Sequence, residues 1–301
     1  MSAQSKIEWT DATWNPVTGC SKVSQGCKFC YAETLAKGRL SHLPEYAGGF
    51  EKVICHTDRL TIPSKWKKGK KIFVNSMSDL FHEDVPFEFI DDVFTVMMNY
   101  DYHTYQILTK RIQRALAWFE WKSQQMGFPW KPKANIWIGV SVENQEAADE
   151  RIPLLTKIPA AVRFLSCEPL LGPIDLKKFF YMPNPTGAPA DIIPTHAIHW
   201  VIVGGESGHK ARPMHFDWIL GIMTICILHK TPFFFKQWGE YKHGGSGITK
   251  ISKWVMVGND GIIYPDLLPK GKNCMLMSKV GKKHSGSKIG PLEFKEFPTI
   301  K

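Results

Sequence analysis

The chain has 301 residues, 44% of them hydrophobic and 22% charged, a balance that supports a full core and excludes a disordered chain. No apolar run approaches the roughly 18–20 residues that span a bilayer. The opening residues lack the basic-then-apolar pattern of a signal peptide, so a cytoplasmic protein without membrane contact is expected. The formal charge is +10 and unevenly placed: residues 241–301 carry eleven lysines against four acids, which points to a polyanionic partner.

In chain order, a first strand is expected to end near Gly19. Six more apolar, β-branched or aromatic runs follow, beginning at Lys71, Tyr105, Ile136, Val162, Trp200 and Pro232. They recur about every thirty residues, the length of one βα unit, and near-continuous apolar character suits parallel strands buried on both faces. Helices are predicted between them. Residues 87–99 open behind Pro86 with Phe87, Ile90, Phe94 and Met97 at helical spacing. Residues 111–126 and 144–157 are similar, the latter shortened or kinked by Pro153, and 214–229 is apolar nearly all round. The result is an α/β chain. A parallel (β/α) barrel, partial or TIM-like, is the first reading and an open doubly wound sheet the second.

Two stretches break the rhythm. Residues 181–197 hold four prolines and read as an inserted loop. The βα pattern stops after Glu240, so the predicted division is a barrel-like domain over 1–240 and a small basic, β-containing extension over 241–301. That extension contains a hairpin built on Trp254–Val257, Asn259-Asp-Gly261 and Ile262–Tyr264. Its basic residues within 270–288, among them Lys279, Lys282, Lys283 and Lys288, are candidate phosphate contacts for a nucleic acid; a partner protein is the other expectation.

Seven cysteines, an odd number in a long chain without an export signal, argue against a disulfide framework. Three of them cluster as Cys20-x6-Cys27-x2-Cys30, in a Gly-, Ser- and Thr-rich loop after the presumed first strand. Thiolates two residues apart can grip one metal centre, and a third from the same loop completes a tripod. Structural zinc needs a fourth ligand, for which Cys55, His56 or His42 are candidates. A 4Fe–4S cluster held by three cysteines instead leaves one iron open for a ligand.

Each later run also ends in polar residues: Asn75, Ser76, Ser78 and Asp79; Thr109, Lys110 and Arg111; Ser141, Glu143 and Asn144; Ser166 and Glu168; Glu206 and Ser207; Lys236 and Gln237. Helix capping accounts for the Ser, Asp and Asn residues but not for Lys110, Arg111, Glu143, Glu168, Glu206 or Lys236. In a parallel barrel the carboxyl ends of the strands are where ligands bind.

A three-cysteine loop after the first strand, with Phe29 between the last two cysteines, resembles the radical S-adenosylmethionine enzymes, whose usual first gap is three residues where this chain has six. A closer likeness covers nearly the whole chain. Thr13-Trp-Asn-Pro-Val-Thr-Gly-Cys20, Gly26-Cys-Lys-Phe-Cys-Tyr-Ala-Glu33, Asn75-Ser-Met-Ser-Asp-Leu-Phe-His82, Leu108-Thr-Lys-Arg111, Gly139-Val-Ser-Val-Glu-Asn144, Glu168-Pro-Leu-Leu-Gly172, Gly204-Gly-Glu-Ser-Gly208 and Phe235-Lys-Gln-Trp-Gly239 resemble the phage-associated three-cysteine-motif family. That family is grouped with radical S-adenosylmethionine proteins.

The resemblance implies a 4Fe–4S cluster on Cys20, Cys27 and Cys30, with S-adenosylmethionine chelated at the open iron and cleaved to a 5′-deoxyadenosyl radical. The candidate cofactor-binding set is Phe29, Asn75, Ser76, Asp79, Lys110, Glu143, Glu168, Glu206 and Lys236. Glu206 lies in a Gly-Gly-Glu that, in such enzymes, follows the second strand and holds the methionyl ammonium; here it follows a late strand, so cofactor and substrate both remain open for it. Phe29 and Tyr31 are candidates to stack on an adenine or to pack in the core. The histidines His82, His103, His209 and His215 and the cysteine Cys167 read as structural. The alternative functions are a metal-stabilised binding module for nucleic acid or protein without catalysis, and a redox-sensing cluster.

Overall fold

The computed structural model describes Ser5 and residues 7–180, 197–243, 254–264 and 273–299; the proline-rich residues 181–196 and the basic residues 270–272 lie outside them. Seven strands form one sheet: β1 (Ala12–Trp14), β2 (Lys71–Val74), β3 (Thr104–Thr109), β4 (Ile136–Ser141), β5 (Val162–Cys167), β6 (Trp200–Gly204) and β7 (Phe233–Gln237). Their order in the sheet is their order in the chain. Parallel pairing is seen at Ala12↔Ile72, Ile72↔Tyr105, Ile107↔Ile138 and Val201↔Phe233. A doubly wound sheet reverses direction at a switch point, and this order has none. With right-handed connections every crossover then falls on one face, as it does in barrel folds.

The strands are where apolar runs place them because each is buried on both faces; all six residues of β4 and all five of β6 are buried. The helices are α1 (Tyr31–Lys37), α2 (Phe87–Asn99), α3 (Ile112–Met126), α4 (Gln145–Leu155), α5 (Lys177–Phe180) and α6 (Phe216–Leu228). No helix among the described residues is long and apolar enough to cross a membrane. Pro153 lies inside α4, which ends two residues later.

The first strand differs from expectation. β1 stops at Trp14, and Val17–Thr18 pair antiparallel with Ile54–Cys55 instead. Pro16 has no N–H to give to a parallel ladder, so the run breaks there.

The chain divides into two compact units, Met1–Ser141 with Arg151–Phe164 and Ile300–Lys301 in one, and Val142–Glu150 with Leu165–Thr299 in the other. In the first, Trp9 packs against Phe73 with ring centroids 4.7 Å apart, and the buried Gln106 donates to the Trp9 carbonyl. Between α2 and α3, Phe94 stacks on Trp118 at 4.0 Å.

In the second unit, β8 (Tyr241–His243), β9 (Trp254–Gly258), β10 (Ile263–Tyr264) and β11 (Cys274–Lys279) form an antiparallel sheet in the order β8-β11-β9-β10. The β9–β10 hairpin forms on the expected residues, with Val257 opposite Ile263. The last described residues return to β7: Lys295 bridges Phe234 antiparallel, Phe235 N–H donates to the Phe294 carbonyl and Trp200 Nε1 to that of Glu296.

Candidate functional site

Within the first unit, the carboxyl ends of β2, β3 and β4 open onto a cleft of about 130 Å3, lined on the loop side by Cys20, Cys27 and Cys30 and on the strand side by Asn75, Asp79, Lys110 and Arg111. Ser76, Ser78, Tyr31 and Ser141 also line it. The loop enters the site at Gly19, whose φ of +85° and a Cβ position only 2.0 Å from the Lys52 carbonyl oxygen admit no side chain. Cys20 N–H donates to the Phe50 carbonyl, a one-turn helix spans Gln25–Cys27, and Cys30 precedes α1. Among the described residues no set of three or more His, Cys, Asp or Glu side chains stands close enough to hold a metal ion. Cys55, His56 and His42 do not line the cleft, nor does the half-buried Phe29.

Asp79 is nearly fully buried and acts as the hub. Thr109 Oγ1 (2.7 Å) and Phe81 N–H (3.0 Å) donate to its Oδ1; Lys110 N–H (3.1 Å) and Arg111 Nη1 (3.5 Å) donate to its Oδ2. Arg111, buried in turn, clasps the cysteine loop: Nη2 donates to Ser21 Oγ (2.7 Å) and to its carbonyl (3.1 Å), Nη1 approaches Cys20 Sγ (3.5 Å), and Nε donates to Glu83 (2.8 Å). His82 accepts from Asp84 N–H at Nδ1, so its Nε2 carries the proton and donates to Ser21 Oγ at 2.8 Å. Burial, then the Arg111 charge, lowers the His82 pKa.

The sulfurs differ in acidity. Burial, then the Asp79 charge, pushes the Cys20 thiol up to about 11 against the opposing pull of Arg111. Burial acts the same way on Cys27 but is outweighed by the Lys110 charge and by hydrogen bonds at Val23 and Ser24, so its pKa falls. Lys110 makes no ion pair among the described residues.

Asn75 holds a left-handed backbone, φ +62°, with its N–H on the Trp14 carbonyl and its Oδ1 accepting from Val17 N–H. Its Nδ2 is buried without a hydrogen-bond partner, an arrangement that costs about 1–3 kcal/mol. Ser76 Oγ and Met77 N–H both donate to Asn15, and Ser78 donates to the Val17 carbonyl, so these serines hold the loop.

In the second unit the predicted carboxylates carry their own cations. Lys236 Nζ bridges both Glu168 oxygens at 2.7 and 2.9 Å. Arg212 engages Glu206 through Nε (2.8 Å), Nη2 (2.6 Å) and its own N–H (2.8 Å). The glycines before Glu206 answer to packing: a Cβ on Gly205 would stand 2.0 Å from the Trp238 carbonyl oxygen, and one on Gly204 would press on Glu168. Glu143 is buried, and its carbonyl accepts from Leu171 N–H. Asn144 Oδ1 caps α4 through Ala147 N–H, the capping role its residue type suggests.

Sequence reasoning placed Arg111 at a strand end without giving it a role, and missed Ser21 and Glu83. The signal was the Lys110-Arg111 pair, two cations directly after an apolar strand.

Fold and cleft together define an α/β protein that presents three thiols beside two cations at the carboxyl ends of parallel strands. The chain belongs to the family described as protein of unknown function (DUF5131), which it matches over residues 4–298. No curated protein and no solved structure matches it.

Proposed function

We propose that this chain is a radical S-adenosylmethionine enzyme of the phage-associated three-cysteine kind, built on a partial, TIM-like (β/α) barrel and acting on a nucleic acid or nucleotide. One observation carries the reading: Cys20, Cys27 and Cys30 line a single cleft at the strand ends together with Lys110 and Arg111. Three soft donors and no fourth cysteine or histidine in that lining suit a centre with an open coordination position better than a closed zinc site. The donor set fits in residue type, while the three sulfurs do not stand at metal-holding separation.

A 4Fe–4S cluster held by Cys20, Cys27 and Cys30 would supply one-electron reducing chemistry toward S-adenosylmethionine, once charged by an external electron donor. The protein's own groups prepare the site. Lys110 favours the Cys27 thiolate, the state a metal requires. Arg111 fixes Ser21, and through it the backbone next to Cys20, while Asp79 fixes Arg111. Ala32 and Phe50 add an apolar part to the lining. In the second unit, Glu168 and Glu206 are already neutralised by Lys236 and Arg212, so they keep hydrogen-bond acceptance rather than net charge.

Anaerobic purification with iron and sulfide determination, followed by reduction in the presence of S-adenosylmethionine, tests the reading. About four irons per chain and release of 5′-deoxyadenosine are expected. Zinc in place of iron, or iron without cofactor cleavage, overturns it. The latter outcome favours a redox-sensing cluster.

A non-catalytic binding module is the second reading, favoured by the exposed Lys282, Lys283 and Lys288. Lys279 is less free for phosphate, since its Nζ donates to the His209 carbonyl.

A further inference from the structure

We infer that the cleft beside the three cysteines takes an oxyanion, a carboxylate or a phosphate on a small molecule, between the Asn75 side-chain amide and the Lys110 ammonium. The inference rests on the proposed function only in taking this cleft as the ligand site, and it needs no metal.

Asn75 lines the cleft, is 2% exposed, and keeps a buried Nδ2 donor with no partner. Neither the backbone nor the loop demands that donor. Glycine would meet the left-handed φ more easily, and the one contact the side chain makes, Val17 N–H to Oδ1, uses its acceptor. Lys110 comes off the next strand into the same cleft and is free of ion pairs among the described residues. Asp79, the carboxylate in the lining, already accepts four hydrogen bonds, one of them from Arg111. The cleft therefore holds one unpartnered buried donor and a cation whose charge meets only the Cys27 thiol, but no spare carboxylate. An oxyanion would satisfy both groups at once, through charge-assisted hydrogen bonds.

Titration calorimetry on the full chain as purified tests this with two matched pairs: AMP against adenosine, and S-adenosylmethionine against its decarboxylated analogue. In at least one pair the oxyanion-bearing member is expected to bind about tenfold tighter or more. A gap in the first pair alone identifies a phosphate site; a gap in the second alone identifies a carboxylate site. Asn75→Asp keeps the acceptor for Val17 but turns the donor into a repelling oxygen, and it should erase the gap. Lys110→Met should shrink it similarly. Asn75→Gly, which keeps the backbone conformation, decides the matter with Lys110→Met if Asn75→Asp fails to fold. Equal binding within both pairs, or a gap that survives these substitutions, overturns the inference. Failure to assemble a cluster sinks the proposed enzyme but leaves these titrations readable.

Discussion

Cys20 and Cys27 occupy one cleft yet carry protons with different tenacity. In metal-free protein, iodoacetamide should label Cys27 with a pH midpoint below that of an ordinary thiol, while Cys20 lags. With its pKa pushed up to about 11, Cys20 stays largely protonated at pH 8. Lys110→Met removes the charge that lowers Cys27 and should shift its labelling midpoint upward. Peptide mass spectrometry across a pH series reads both, and faster labelling of Cys20 would contradict the assignment. At this scale the sequence revealed residue types but not their engagements. The three cysteines were legible because clustered thiols in a polar loop are not core patterning. That Asp79 is committed to Arg111, and Glu206 to Arg212, was not legible, since both partnerships depend on side-chain directions that spacing does not encode.

The strands were legible as elements because burial on both faces leaves an apolar run with few interruptions. β1 was not: it is three residues long, and the apolar and β-branched residues after Pro16 belong to a separate antiparallel pair. The turn after β6 shows how a motif can be read two ways. Gly204-Gly-Glu206 resembled a ligand loop, and the structure supplies a packing reason for both glycines. Gly205→Ala drives a methyl group into the Trp238 carbonyl and should destabilise the protein by about 1–3 kcal/mol. Gly221→Ala, in α6 with nothing near its Cβ position, should be neutral or stabilising by up to about 1 kcal/mol. Urea unfolding of the two variants checks the contrast, and equal effects would refute it.

Across the whole molecule, the positive charge of residues 241–301 is its most uneven property. If that surface meets a nucleic acid, affinity should fall steeply with salt, and the triple substitution Lys282→Gln, Lys283→Gln, Lys288→Gln should flatten the log–log slope by up to about three. Fluorescence anisotropy with labelled RNA and DNA measures it; an unchanged slope assigns these lysines to solvent. Substitution is the right probe here, and deletion the wrong one, because residues 294–296 are hydrogen-bonded to β6 and β7. That return carries a further consequence. β7 ends the parallel sheet, and without Phe294 and Lys295 beside it, its outer row of amides and carbonyls would stand bare along a Phe-Phe-Phe sequence. Bare, flat, greasy margins recruit one another. A chain cut before residue 292 should therefore be lost by polymerising into aggregates, even though the cysteine cleft lies in the other unit and keeps every one of its own residues.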